Sequence, residues 1–304
     1  MTPSFHRACL GAAALVLIVT GERASTQVPQ FRGRADLVSV DVAVQQRGRP
    51  VTGLAAADFE IFDNGVPQKV SDLAFETLPI DVTVALDISE SVTGAVLDQL
   101  RRSVKDLAQD LTTRDRLRLL TFNVRVSRLV DFGAPASSID TAFNGIRPFG
   151  ATAALDTLAV ALTQPPIPER RQLVVVFTDG DDRSSVTTPE MLLDVARRTT
   201  PTVGLVFPSV RLRTGVESAP QTQAEQARSK FYTQLADETG GFLHVVDAGE
   251  SLESVFRRML TDFRRSYVLY FAPEGVPRAG THTLDVRVKR TGVEVHARRA
   301  YTSQ

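Results

Sequence analysis

Cysteine is almost missing from this chain: of its 304 residues only Cys9 carries a thiol, and it sits inside an apolar N-terminal segment. Once that segment is removed, no disulfide, cysteine nucleophile or zinc thiolate can form. Lysine is scarce as well, at Lys69, Lys105, Lys230 and Lys289. The arginines that make up the rest of the 35 basic residues are scattered and are balanced by 35 acidic ones. Without a block of like charge, nucleic acid is excluded as the main partner. No apolar run reaches the ~20 residues that a membrane-spanning helix needs, so no span is expected in the mature chain. Nucleophile elbows of the G-x-S-x-G type and Walker phosphate loops are lacking too. His6, His244, His282 and His296 show no grouping that would set a base beside a nucleophile.

What is present is enough apolar residue, 43%, to build a sizeable core in one or two domains. Residues 1–26 read as a secretory signal: His6 and Arg7 lead, Leu10 to Thr20 is apolar, and the small residues Gly21, Ala24 and Ser25 follow. The expected location is therefore secreted or periplasmic. In the segment 27–78, Val38, Val40, Val42 and Val44 alternate with smaller or polar residues, and Asp63-Asn64-Gly65 is a hairpin signal. In the segment 265–304, Tyr267 to Phe271 reads as a strand, and Leu284, Val286, Val288 and then Val293, Val295, Ala297 alternate. Neither end has enough strands to bury a core alone, so the two are expected to pack together as a small β-sandwich.

Between them, over 79–264, strand and helix signals alternate, which predicts an α/β fold with a doubly wound, mostly parallel sheet. Asn123-Val124-Arg125 joins two strands so tightly that one edge strand is expected to be antiparallel. Ala224, Ala227, Phe231 and Leu235 mark a helix closed by Gly240-Gly241, and Leu252, Val255, Phe256, Met259, Leu260 and Phe263 mark a last one.

The stretch from Ile80 to Ser91 carries the chemistry. Val82, Val84 and Leu86 mark a central strand, and Asp87, Ser89 and Ser91 follow at its end. Hard divalent cations prefer such oxygen ligands, and magnesium wants six, so more donors must arrive at the same sheet edge. Gln172 to Phe177 is a second buried-strand signal and leads to Thr178-Asp179-Gly180. Phe149-Gly150-Ala151-Thr152 opens a helical pattern, its glycine permitting the close approach that would turn the Thr152 hydroxyl inward. Asp87, Ser89, Ser91, Thr152 and Asp179 thus form a candidate oxygen cage for Mg2+, or for Mn2+ or Ca2+. Asp181 and Asp182 read as solvated turn residues. The long connection from Pro208 to Gln223, with Arg211, Arg213 and Glu217, is expected to border the same edge.

These residues resemble the von Willebrand factor type A domain, whose metal-ion-dependent adhesion site is a D-x-S-x-S loop, a threonine on a second loop and an aspartate on a third. Asp87, Ser89 and Ser91 match the first element, Thr152 the second and Asp179 the third. The flanks resemble the secreted bacterial "VWFA-related" family named for acidobacteria, through Val51-Thr52-Gly53-Leu54, Asp58-Phe59-Glu60-Ile61 and Val286-Arg287-Val288-Lys289-Arg290. The resemblance implies Ser89, Ser91 and Thr152 as direct ligands and leaves the shell of the aspartates open. The expected function is metal-dependent adhesion: an electrophilic cation with an exchangeable position captures a carboxylate of a protein partner. A magnesium-dependent hydrolase of the cell envelope and a purely structural scaffold are the alternatives. The hydrolase needs a second carboxylate two residues after its aspartate, where Ser89 stands.

Overall fold

The computed structural model describes residues 37–92, 94–208, 222–247 and 249–303. The signal segment 1–26 and Arg211, Arg213 and Glu217 of the long connection lie outside the described residues. The alternating valines form β1 (Val38–Gln46), with Val40, Val42 and Val44 buried and the residues between them more exposed. Full burial of each such side chain is worth about 1.5–3 kcal/mol, which fixes the register of this strand against slippage. The chain folds back through β2 (Arg49–Pro50) and makes a hairpin of β3 (Phe59–Asp63) and β4 (Val66–Gln68) before β5 (Val70–Phe75). Asp63 pairs with Val66 across the turn, and Asn64 (φ 48°) and Gly65 (φ 81°) both adopt the left-handed conformation that this tight connection requires.

The central α/β region follows: β6 (Ile80–Asp87), α1 (Gly94–Gln109), β7 (Arg116–Phe122), β8 (Val126–Val130), α2 (Ser137–Asn144), α3 (Ala154–Leu162), β9 (Arg171–Phe177), α4 (Pro189–Arg198), β10 (Thr202–Pro208), α5 (Gln223–Thr239), β11 (Phe242–Val246) and α6 (Leu252–Arg264). Its sheet has the order β11-β10-β9-β6-β7-β8, parallel throughout except for β8, which runs antiparallel to β7 at one edge. Every residue of β6 is buried, as a strand covered on both faces must be. Ile80, Val82, Val84 and Leu86 face the cluster built with α1, α2 and α6, and Ala85 faces the one built with α3, α4 and α5. From β6 the chain moves one way to β7 and later returns on the other side as β9, so the crossovers after β6 and β9 leave in opposite directions. A crevice opens at such a switch point, beyond the carboxyl ends of the two strands.

Local signals account for most helix ends. Thr188 accepts a hydrogen bond from the Met191 N–H at 3.3 Å with Pro189 next in line, and Arg197 and Arg198 sit in the last turn of α4. Helix α5 begins in a capping box of Thr222 and Glu225 and ends at Gly240, where an added Cβ would lie 2.5 Å from the Arg298 nitrogen. Its buried face differs from the expected one: Ala224 and Ala227 are exposed, whereas Tyr232, Leu235, Ala236 and Thr239 are buried. That face packs on α4, β10 and β11, and Tyr232 also reaches Gly180 in the loop after β9, partners that no local periodicity reveals.

Beyond α6 come β12 (Tyr267–Phe271), β13 (Gly280–Val288), β14 (Glu294–Ala297) and β15 (Ala300–Ser303), the last lacking any pattern in the sequence. Strands from both ends of the chain pair antiparallel in two sheets, β14-β1-β12-β5 with β2 beside β1, and β15-β13-β3-β4. Val40, Val42, Phe59, Ile61, Tyr267, Leu269, Leu284 and Tyr301, drawn from both, share one buried cluster. Two arginines fasten these strands to the central region. Arg171 of β9 donates to Asp41 of β1 at 2.7 Å and lies over the Phe263 ring. Arg298 donates to the carbonyls of Ala196 in α4 and Pro201 just beyond it, and its burial brings its pKa down to about 10.

Candidate metal centre

Strand β6 delivers Asp87 to the crevice, where the carboxylate is 1% exposed. The Ser89 N–H donates to Asp87 Oδ1 at 2.9 Å, an Asx-type turn that reverses the chain just past the strand. The turn brings Ser89 Oγ within 3.1 Å of Ser91 Oγ, with Ser89 buried and Ser91 exposed. The second carboxylate oxygen is held from β9: the Thr178 hydroxyl donates to Asp87 Oδ2 at 2.8 Å and accepts the Gly180 N–H at 3.0 Å. Asp179, half-buried, uses Oδ1 to accept the Asp181 N–H at 3.0 Å.

The third loop is stitched to the other two by its main chain. Phe149 N–H donates to Ile88 O at 3.1 Å and Glu90 N–H donates to Gly150 O at 3.1 Å, an approach made with Gly150 in the left-handed region (φ 75°). On its far side the Thr152 carbonyl accepts N–H groups from Arg183 (2.9 Å) and Ser184 (3.1 Å). Thr152 is 5% exposed, and its hydroxyl makes no hydrogen bond among the described residues. The structure therefore joins Asp87, Ser89 and Ser91 directly. It brings Asp179 close enough for its charge to act on Asp87, and it ties Thr152 to the same edge through backbone contacts.

Charge reports the same convergence. Burial pushes the Asp87 carboxyl above its ordinary range, the hydrogen bonds from Ser89 and Thr178 oppose this, and the negative charge of Asp179 adds to it. The Tyr232 phenol on α5 is pushed up by burial and by the charge of Asp182, the Arg228 cation opposes this, and the charges of Asp179 and Asp87 add to it. Gly180 (φ 72°) permits that approach: a Cβ there would lie 2.9 Å from the Tyr232 ring. The donor set is carboxylate and hydroxyl oxygen, and no group of three or more His, Cys, Asp or Glu residues suited to a metal occurs among the described residues. Such a set fits a hard cation of the Mg2+, Mn2+ or Ca2+ type and not a soft one. Asp87, with both oxygens already engaged by protein donors, suits a role through bound water, whereas the hydroxyls of Ser89, Ser91 and Thr152 suit direct ligation.

Several residues of this edge escaped the sequence reading. Thr178 stands next to Asp179 in a strand-end tripeptide where only Asp179 draws notice. Asp182 is not a solvated turn residue: its Oδ2 accepts the Leu155 N–H at 2.8 Å and the Ser185 hydroxyl at 2.6 Å. Asp181 pairs with Arg183 and, at 3.3 Å, with Arg228 of α5. The histidines also need correcting. His282 does sit in a cluster, with Nδ1 2.8 Å from Asp63 Oδ1 and Nε2 3.2 Å from Ser303 Oγ, while the Tyr301 hydroxyl donates to Asp63 at 2.7 Å. The Ser303 hydroxyl, however, donates to the Arg278 carbonyl at 2.6 Å. Its proton is directed away from the ring, and the cluster serves to join β3, β13 and β15.

A family model of the von Willebrand factor type A domain matches residues 81–258. That is more than half of the chain, and the protein belongs to the von Willebrand factor type A family. Domains of this family commonly mediate protein interactions through a metal-ion-dependent adhesion site. Among solved structures, a von Willebrand factor type A protein from Catenulispora acidiphila is similar at 13% identity and a TM-score of 0.50, over 90% of this chain and 76% of that one. An aerotolerance-related membrane protein from Bacteroides fragilis is similar at 16% identity and a TM-score of 0.47, over 60% and 98%. The mussel byssus proximal thread matrix protein 1 with a zinc-occupied MIDAS motif is similar at 15% and 0.47, over 65% and 48%. No curated protein matches the chain. At such identities likeness speaks of fold alone. No helix among the described residues is long and apolar enough to cross a membrane.

Proposed function

We propose that this protein is a secreted or periplasmic binding module in which Asp87, Ser89, Ser91, Thr152 and Asp179 hold a divalent cation, Mg2+ or alternatively Mn2+ or Ca2+, for the capture of an acidic side chain on a partner protein. The observation that carries the reading is the joining of three loops at the β6/β9 switch point. Two serine hydroxyls 3.1 Å apart lie beside a buried carboxylate there, and the Asp179 charge acts on that carboxylate. When bound, the cation would supply an electrophilic position open to a carboxylate oxygen. The protein's own part is to orient: Thr178 and the Ser89 N–H fix Asp87, and the Ser91 hydroxyl is exposed toward an incoming group. The chain is read as a signal over 1–26, a type A domain over 79–264, and segments 27–78 and 265–304 forming a small β-sandwich from the two antiparallel sheets. Catalysis is not favoured, because no acid or base stands two residues after Asp87.

Immobilised protein, incubated with the envelope fraction of the secreting cell, should retain a partner in magnesium and release it in chelator. A Ser91→Ala variant should retain much less. Equal retention with and without chelator would contradict adhesion through a cation.

A further inference from the structure

Helix α3 starts without a cap of its own. Ala153 stands at the N-cap and has no side-chain acceptor, so the first-turn N–H groups depend on another part of the chain. The loop after β9 provides for them: Asp182 Oδ2 accepts from Leu155 N–H at 2.8 Å, and Ser185 Oγ accepts from Asp156 N–H at 3.0 Å. The exchange is reciprocal. The Asp156 carboxylate accepts from the N–H groups of Val186 (3.1 Å) and Thr187 (2.8 Å), and the Ser185 hydroxyl donates to Asp182 at 2.6 Å. Thr152 lies two residues before α3 and Asp179 three residues before Asp182, and Thr152 and Asp182 themselves form a parallel bridge. Two of the loops carrying the proposed ligands are thus held together by a set of hydrogen bonds that leaves those ligands' side chains untouched.

We infer that Asp182 is a positioning residue for the metal centre. By capping α3 from the Asp179 loop, it sets where Thr152 stands relative to Asp179. Ser185 completes the link. This inference rests on the binding reading above, and it makes the affinity for the ion depend on side chains that do not touch it. Groups that hold metal ligands from behind typically contribute about 10–100-fold in affinity. A charge effect is the competing explanation, since the charges of Asp182, Asp179 and Asp87 all act on the Tyr232 phenol.

The test is a calorimetric titration of the full chain with Mn2+ alone, for wild type, Asp182→Ala, Asp182→Asn and Ser185→Ala, with melting in chelator recorded for each. The positioning role predicts that Asp182→Ala weakens Mn2+ binding by about 10–100-fold. Ser185→Ala, which changes no charge, should also weaken it, and Asp182→Asn, which keeps one acceptor oxygen, should recover part of the loss. Lower melting in chelator with Mn2+ affinity unchanged would show a merely structural link and overturn the inference. Equal losses in Asp182→Ala and Asp182→Asn with Ser185→Ala unaffected would assign the effect to charge and overturn it likewise. Should Asp182→Ala fail to fold, Ser185→Ala carries the same decision. A wild-type chain that takes up no Mn2+ would instead refute the binding reading on which all of this stands.

Discussion

Asp81, at the start of β6 and at the opposite end from the candidate metal centre, is 1% exposed and lies between two guanidinium groups. Arg170 Nε donates to its Oδ1 at 2.7 Å and Arg116 Nε at 2.9 Å. Replacing it with alanine leaves two cations facing each other without their counterion. Removing one partner of a buried pair costs about 3–5 kcal/mol. The Arg116 and Arg170 side chains are 32% and 17% exposed, so water can relieve part of the penalty and the lower end applies. At about 2–4 °C per kcal/mol for a chain of this size, a loss of about 3 kcal/mol lowers Tm by about 6–12 °C. The isosteric Asp81→Asn adds a pH signature. Burial pushes the Asp81 carboxyl up, but the hydrogen bonds and charges of Arg116 and Arg170 outweigh it and hold it below the ordinary carboxylate range. The stability it contributes is therefore complete above the unfolded-state pKa of about 3.9 and is lost as pH falls through the lower folded-state value. Equilibrium urea unfolding of wild type and Asp81→Asn should show the full gap near neutrality and a gap that closes in acid below about pH 4. A gap under about 1 kcal/mol at neutrality, the range of an exposed pair, would refute the reasoning. So would a gap that widens toward acid.

Thr178→Val keeps the shape of a fully buried side chain but removes the hydroxyl that donates to Asp87 and accepts from Gly180. Leaving buried polar groups unpaired costs about 1–3 kcal/mol each, so thermal unfolding should fall by several degrees in chelator. A change within error would show that water replaces the hydroxyl there. In the β3/β13/β15 cluster, His282→Ala should destabilise by about 3 kcal/mol because it takes the imidazole donor from the buried Asp63 and leaves it only the Tyr301 hydroxyl, whereas Ser303→Ala, a half-buried hydroxyl, should cost about 1 kcal/mol. Urea unfolding of both variants decides this, and equal costs would contradict the assignment of the cluster as a structural tie centred on the hydrogen bond between His282 and Asp63.

Much of the fold could be read from local pattern. The valine alternation of β1, the Asn64-Gly65 turn, the Thr188-Pro189 start of α4 and the six buried positions of α6 all express periods or caps contained in a few consecutive residues. What escaped depends on partners far away in the chain. Tyr232 and Ala236 replace Ala224 and Ala227 on the buried face of α5 because α4, β10 and β11 pack there. Asp81 occupies a fully buried strand position that only Arg116 and Arg170, from two other segments, make tolerable. β15 has no pattern of its own and is held by pairing with β13 and by the bonds of Tyr301 to Asp63 and of Ser303 to His282. At the candidate metal centre, the convergence of Asp87, Ser89 and Ser91 on one turn was legible because they are close in sequence. Thr178 and Asp182 were not, because their roles consist of bonds to Asp87 and to the start of α3.

The most direct test of the account is thermal melting of the wild type in excess Mg2+ and in chelator, beside Ser89→Ala and Asp179→Ala. An ion bound only by the folded chain stabilises it by about 2.7 kcal/mol at a hundred times its Kd, so the wild type should melt several degrees higher with Mg2+ and both variants should lose that increment. Identical wild-type melting in the two conditions, or an increment that survives in both variants, would mean that these oxygens do not hold an ion.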